Sequence, residues 1–237
     1  MTARRAPRRQ LPPGLWRRVG RQLVRAGLII LGFFVAALVA GAIYVATLPN
    51  VADAPARVAH ILAVHHGTYG RAPVPAKLGD AVVAVEDEHF YDNFVINVLS
   101  GAGRAGLATL NQSNDPGGST IPQQLAKLLY GQGSSLGGTL REIGLGIRLS
   151  LRYSKPQVLD MYLNAAYFGN GYWGYVAAAA GYFGISPHRL DWAQAALLAG
   201  LPQAPSAYDP LDDLALAKQR QRHVLDQLVA NHYLSPG

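Results

Sequence analysis

Three acidic side chains stand together at Glu86-Asp87-Glu88, directly after the apolar run Ala81-Val-Val-Ala-Val85. Partial burial at the edge of such a run raises a carboxyl pKa toward the range of a general base or acid. An acidic helix end facing solvent is the plainer reading of the triplet alone. A second group runs through Gly117-Gly118-Ser119-Thr120 into Ile121-Pro122-Gln123-Gln124-Leu125-Ala126-Lys127. Thr120 and Gln123 fit a capping box, and Pro122 falls in the first turn. Thr120, Gln124 and Lys127 then share one helix face. A helix N-terminus with a lysine nearby seats a phosphate, although a plain capped helix fits the same residues equally well. The spacing is not that of a nucleotide P-loop. Glu142 is the only Glu after Glu88, and it keeps company with Arg141, Arg148 and Arg152. Alone it reads as a salt-bridge partner. Taken together, two separated carboxylates beside a phosphate seat suit sugar transfer. One removes the proton from an attacking hydroxyl; the other orients groups around a leaving phosphate.

The elements that must position these residues are helices. Apolar positions recur at three and four, as in Val158, Leu159, Tyr162 and Leu163. The pattern predicts helices over 80–92, 119–131, 139–153, 156–165, 173–183, 191–200 and 211–232. Ser154 before Lys155-Pro156, Asp191 before Trp192, and Asp212 are expected N-terminal caps. Residues 98–118 are rich in Gly, Ser and Asn without a period, which predicts a mobile loop. In 49–79 four prolines predict a linker, with short β-like pieces around Val58–Val64. His60, His65 and His66 lie there without Cys or spaced carboxylates, so no metal site is expected. The aromatic side chains Tyr167, Phe168, Tyr172 and Trp173 suit core packing more than sugar stacking.

The chain has 237 residues, half of them hydrophobic, and no Cys. That excludes a disordered chain, a disulfide scaffold and a cysteine nucleophile. Of the net charge of +7, residues 1–25 supply eight Arg and no acid, leaving 13 basic against 14 acidic residues. The basic character belongs to a tail, so nucleic acid is not an expected partner. Residues 26–48 carry no charge and are long enough to span a bilayer. A buried core helix is rarely so apolar, and the apolar part of a cleaved signal peptide is shorter. An uncleaved transmembrane helix is expected, with the Arg tail cytoplasmic on phospholipid headgroups and the rest outside. The expected organisation is a tail (1–25), a transmembrane helix (26–48), a linker (49–79) and a catalytic domain (80–237).

Several blocks together resemble the peptidoglycan glycosyltransferases, glycosyltransferase family 51, of the monofunctional biosynthetic transglycosylase type. Glu86-Asp87-x-x-Phe90 resembles the first motif of that family, and Gly117 to Lys127 the second. Ser154-Lys155 and the run from Leu159 through Tyr162-Leu163-Asn164 to Gly174 resemble the fourth. Ala178–Gly184 and Ala195–Pro210 resemble the family's segments C-terminal to that fourth motif. The resemblance implies a mainly α fold: a lysozyme-like helical glycosyltransferase domain with a smaller membrane-facing lobe, preceded by one transmembrane helix. It implies polymerisation of lipid II into glycan strands at the bacterial cytoplasmic membrane, with the catalytic domain on the periplasmic side. Undecaprenyl diphosphate would leave with inversion at the anomeric carbon. Glu86 matches the general base and Glu142 the second essential acid. Asp87, Phe90, Ser119, Thr120, Gln124, Lys127 and Arg141 match or adjoin substrate-binding positions. No cofactor is required by the resemblance, and a divalent cation such as Mg or Mn is an optional helper. Lipid II, the growing glycan, membrane lipids and other cell-wall synthases are the implied partners. The chain has no Ser-x-x-Lys, so no penicillin-binding domain is expected.

The sequence also departs from the pattern. Asn93, Val95 and Asn97 stand where the first motif usually has His, Gly and Asp, and Gly138-Thr139 stand where the third has Arg-Lys. A leaving diphosphate needs positive charge, and part of the usual set is missing. An impaired relative that binds lipid II or scaffolds wall synthases is therefore the alternative. A lysozyme-like hydrolase is a third reading, disfavoured by the Gln-Gln-x-x-Lys block.

Overall fold

A computed structural model describes residues 15–70, 73–92, 119–131 and 135–235. The expected loop 98–118 and positions Asn93, Val95 and Asn97 lie outside the described residues. The chain divides into two units, residues 1–47 and 48–237. The first unit holds helix α1 (Leu15–Thr47). Its stretch Gly20–Thr47 is long and apolar enough to cross a membrane. Phe33 is 75% exposed and Ile30 69%, a surface that needs lipid around it.

The second unit is mainly helical. Its elements are α2 (Ala54–Val64), α3 (Ala76–Glu86), α4 (Ile121–Tyr130), α5 (Leu136–Arg152), α6 (Lys155–Ala165), α7 (Tyr175–Phe183), a short 3-10 turn (Pro187–Arg189), α8 (Trp192–Gly200) and α9 (Leu214–Ala230). Among the described residues the only extended pairing is one bridge between Tyr167 and Trp173. The β-like pieces expected at 58–64 are instead helix α2. Pro55 sits in its first turn, where a missing N–H is harmless, and Ala54, Val58 and Leu62 bury one face. Helix α3 starts earlier than expected and stops at Glu86, so 87–92 form turns rather than a last helical turn.

Caps explain several boundaries. Thr120 with Gln123, Ser154 with Gln157, and Asp191 with Gln194 form capping boxes at α4, α6 and α8. Asp213, rather than the expected Asp212, caps α9 by accepting from Leu216 N at 2.9 Å. Helix α4 lies against α5 and α6, while α3 lies against α8 and α9. The shared core is filled by Tyr162, Tyr175, Phe168 and Leu-rich faces.

The start of the second unit is fastened to the far ends of α4 and α5. Arg148 donates to the Leu48 carbonyl, and Tyr153 OH donates to the carbonyls of Val51 (3.0 Å) and Ala52 (3.2 Å). Tyr130 OH donates to Asp53 Oδ1 at 2.8 Å. Arg57 bonds Asp53 Oδ2 at 2.7 Å and the Leu129 carbonyl at 3.2 Å. The expected linker thus begins with a clamp.

Candidate active site

Helix α3 reads Ala-Lys-Leu-Gly-Asp-Ala-Val-Val-Ala-Val-Glu, and Leu78 to Ala84 are largely buried. Its last residue, Glu86, therefore arrives inside the core; its side chain is 10% exposed. Gln124 Nε2 of α4 donates to Glu86 Oε2 at 2.7 Å. Tyr162 OH of α6 donates to Gln124 Oε1 at 2.8 Å. Glu86 Oε1 accepts no hydrogen bond among the described residues. The Arg220 guanidinium of α9 stands 3.7 Å from it. Burial pushes the Glu86 carboxyl above its ordinary range; Gln124 and Arg220 oppose the shift and Asp87 adds to it. A solvent-facing acidic helix end is thereby overturned.

Asp87 is 2% exposed and accepts from Ile121 N through Oδ2 at 3.1 Å. Thr120 N donates to Gln123 Oε1 at 3.0 Å. The N-terminus of α4 is thus not an open phosphate seat, because a carboxylate of the chain already stands there. Phe90 is fully buried, with Lys155 Nζ 4.8 Å over its ring. Burial pulls the Lys155 amine below its ordinary range, opposed by Asp87 and Asp92. Asp87, Phe90 and Thr120 are all buried. Ser119 is exposed beside them.

Lys127 and Arg141 are exposed and Glu142 is half-buried. Helices α4 and α5 pack against each other and are joined by residues 131–135. A Cβ on Gly146 would lie 3.1 Å from Gln123 N, so α5 passes the start of α4 at backbone contact. Glu142 lies one turn before Gly146 on α5, and Lys127 one turn after Gln123 on α4. Lys127 in turn follows Gln124 by three residues on the same face. Helix α4 thus carries both Gln124, bonded to the Glu86 carboxylate, and the exposed Lys127.

Arg220 and Tyr162 were not singled out from sequence. Arg220 stands on the buried stripe Ala217, Val224, Leu228 of α9, and a cation in an apolar stripe is the signal that marks it. Gly200 makes room for it, since a Cβ there would lie 2.7 Å from Arg220 Cγ. Tyr162 reads from sequence as one more packing residue, and nothing in its spacing reveals its hydrogen bond.

The sequence profile of the family described as Transglycosylase matches residues 58–229. The chain belongs to the transglycosylase family. This transglycosylase is 41% identical over 184 residues to penicillin-binding protein 2a of Streptococcus pneumoniae, covering 77% of the chain and 25% of that protein. It is 38% identical over 165 residues to a Cupriavidus necator protein that carries a provisional transglycosylase name, covering 69% of the chain and 71% of that protein. The chain thus spans about a quarter of the length of the Streptococcus relative. A crystal structure of penicillin-binding protein 1A from Haemophilus influenzae aligns with a TM-score of 0.42 and 24% identity, over 71% of this chain and 16% of that one.

Proposed function

We propose that this membrane-anchored transglycosylase polymerises lipid II. The observation that supports it best is the buried Glu86 carboxylate on Gln124, one turn from the exposed Lys127 on the same helix. Glu86 accepts the proton of the acceptor 4-hydroxyl as that oxygen attacks the anomeric carbon of the growing chain. The bond from that carbon to undecaprenyl diphosphate breaks with inversion, and the diphosphate carries away the electron pair. Lys127 and Arg141 neutralise it, and Glu142 orients the groups around it. Asp87, Thr120 and Phe90 hold the start of α4 and the end of α3 in place, with Ser119 at the rim.

Among the described residues no group of three or more His, Cys, Asp or Glu is placed to hold a metal ion. The carboxylates nearest the base are already engaged, Glu86 by Gln124 and Asp87 by Ile121. Mg or Mn stays an optional helper in this proposal, and every role named above falls to a side chain of the protein itself.

Helix α5 supports a lipid partner. Leu140 is 49% exposed and Leu151 71% exposed, and with half-buried Ile147 they lie on one face at i, i+7 and i+11. Arg141, Arg148 and Arg152 form a parallel row one residue on. An apolar row edged by arginines is the pattern of a helix lying in a lipid interface. The Arg-rich tail remains cytoplasmic and the second unit periplasmic in this reading; other cell-wall synthases are proposed partners.

The purified full chain in detergent polymerises clean lipid II, and Glu86→Gln lowers the rate by about 10²-fold or more. A wild type inactive across pH and added metals sinks the proposal. The alternative is an impaired relative that binds lipid II or scaffolds wall synthases. It is motivated by Gly138-Thr139 at the start of α5, where cations are expected. Lipid II binding without product, with a deletion rescued by Glu86→Gln, selects it.

A further inference from the structure

We infer that Tyr162 is a positioning residue, fixing the direction of the Gln124 amide so that its NH2 end faces Glu86. The inference deepens the proposed function and rests on Glu86 as its base. An amide side chain can face either way, and Gln124 lies between two partners. As placed, Tyr162 OH donates to Gln124 Oε1 at 2.8 Å and Gln124 Nε2 donates to Glu86 Oε2 at 2.7 Å. This orientation serves an ionised carboxylate, which only accepts. The flipped amide would turn its oxygen toward Glu86 and serve only the protonated acid.

The phenol decides between the two. Tyr162 is 1% exposed, and Gln124 Oε1 is the acceptor the structure gives its hydroxyl hydrogen. A flip would strand that buried donor, which is costly. The hydroxyl therefore favours the orientation that favours charge on Glu86. The other groups facing this carboxylate are Arg220 from α9 and Asp87 from its own chain segment. Glu86 Oε1 is itself buried and accepts no hydrogen bond among the described residues.

The chain contains three glutamates, Glu86, Glu88 and Glu142. Labelling every Glu carboxyl with carbon-13 in the full chain in detergent therefore gives three signals, and loss of one in Glu86→Gln assigns Glu86. Tyr162→Phe should move the Glu86 titration midpoint up by about one pH unit. In a Gln124→Ala background the same change should move it no further. Site-specific 3-fluorotyrosine at 162, a stronger donor of nearly the same volume, should move it down, which keeps the test open even if Tyr162→Phe fails to fold. In turnover, the acid limb of kcat should shift with the midpoint while KM holds. An unmoved midpoint in both variants, or a shift that persists without Gln124, overturns the inference. A wild type whose midpoint moves as expected in these variants but which makes no polymer defeats only the proposed function.

Discussion

A carboxylate in the last turn of α3 meets two unfavourable fields, a buried environment and the negative end of the helix dipole. Both favour its protonated form, in accord with the upward shift at Glu86. Activity should therefore fall on the acid side at a higher pH than an ordinary carboxylate would give, since a protonated Glu86 accepts nothing. Stability follows the same shift. Below the ordinary carboxylate value, about pH 4, Glu86 is neutral in both folded and unfolded chains. As the pH rises from there to the raised folded value, the unfolded chain releases a proton that the folded chain keeps, and stability falls. Above the raised value the full penalty remains, even with Arg220 nearby. Glu86→Gln should thus raise Tm at pH 7, by about 2–4 °C for each kcal/mol relieved, and the gain should vanish toward about pH 4. Calorimetry at the two pH values checks this, and an equal gain at both refutes the charge explanation. The burial of Glu86 was partly legible from the apolar run before it, whereas the roles proposed for Glu142 and Lys127 come from the family resemblance. Tyr162 was not legible, because a phenol among leucines looks like core until its partner is seen.

At the scale of elements, the site depends on how closely α4 and α5 approach. Gly146 allows that approach, with Gln123 backbone atoms only 3.1 and 3.2 Å from where a Cβ would stand. Gly146→Val should push the helices apart, cost about 1–3 kcal/mol, and lower turnover by shifting the helix that carries Glu142 away from α4. Denaturant melts with single-turnover kinetics measure both; a stable variant with unchanged turnover refutes this dependence on close approach. Helix starts were readable wherever a side chain caps them, as at Thr120, Ser154 and Asp191. Helix α2 was missed because its prolines weighed more than its four-residue apolar spacing, although Pro55 at the first turn breaks nothing. The start of α4, which the sequence leaves open between a phosphate seat and a plain capped helix, is a different case. Asp87, 34 residues away in sequence, fills it, and sequence spacing does not show which distant carboxylate arrives.

For the molecule as a whole, both substrates of the proposed reaction are lipid-borne, and the outer row of α5 is the surface suited to meet them. Replacing Leu140 and Leu151 with Glu should leave polymerisation in detergent within about twofold but lower it by about tenfold in vesicles, since charged side chains are expelled from the interface. Parallel assays in the two media test this, and equal loss in both would assign those leucines to folding. The membrane helix was legible in the sequence from length and charge alone, whereas the fastening at 48–57 was not, because carbonyl acceptors carry no sequence signature.

That fastening has a practical consequence. The stretch recognisable by the family profile begins at residue 58, yet the bonds to Leu48, Val51, Ala52 and Asp53, together with Arg57 itself, all lie before it. A soluble version trimmed to the recognisable stretch would retain every residue of the proposed chemistry and lose the strap across the ends of α4 and α5. Its weak activity would then reflect a slack frame rather than a missing anchor, and the boundary drawn by mechanics, at Leu48, is the one to cut by.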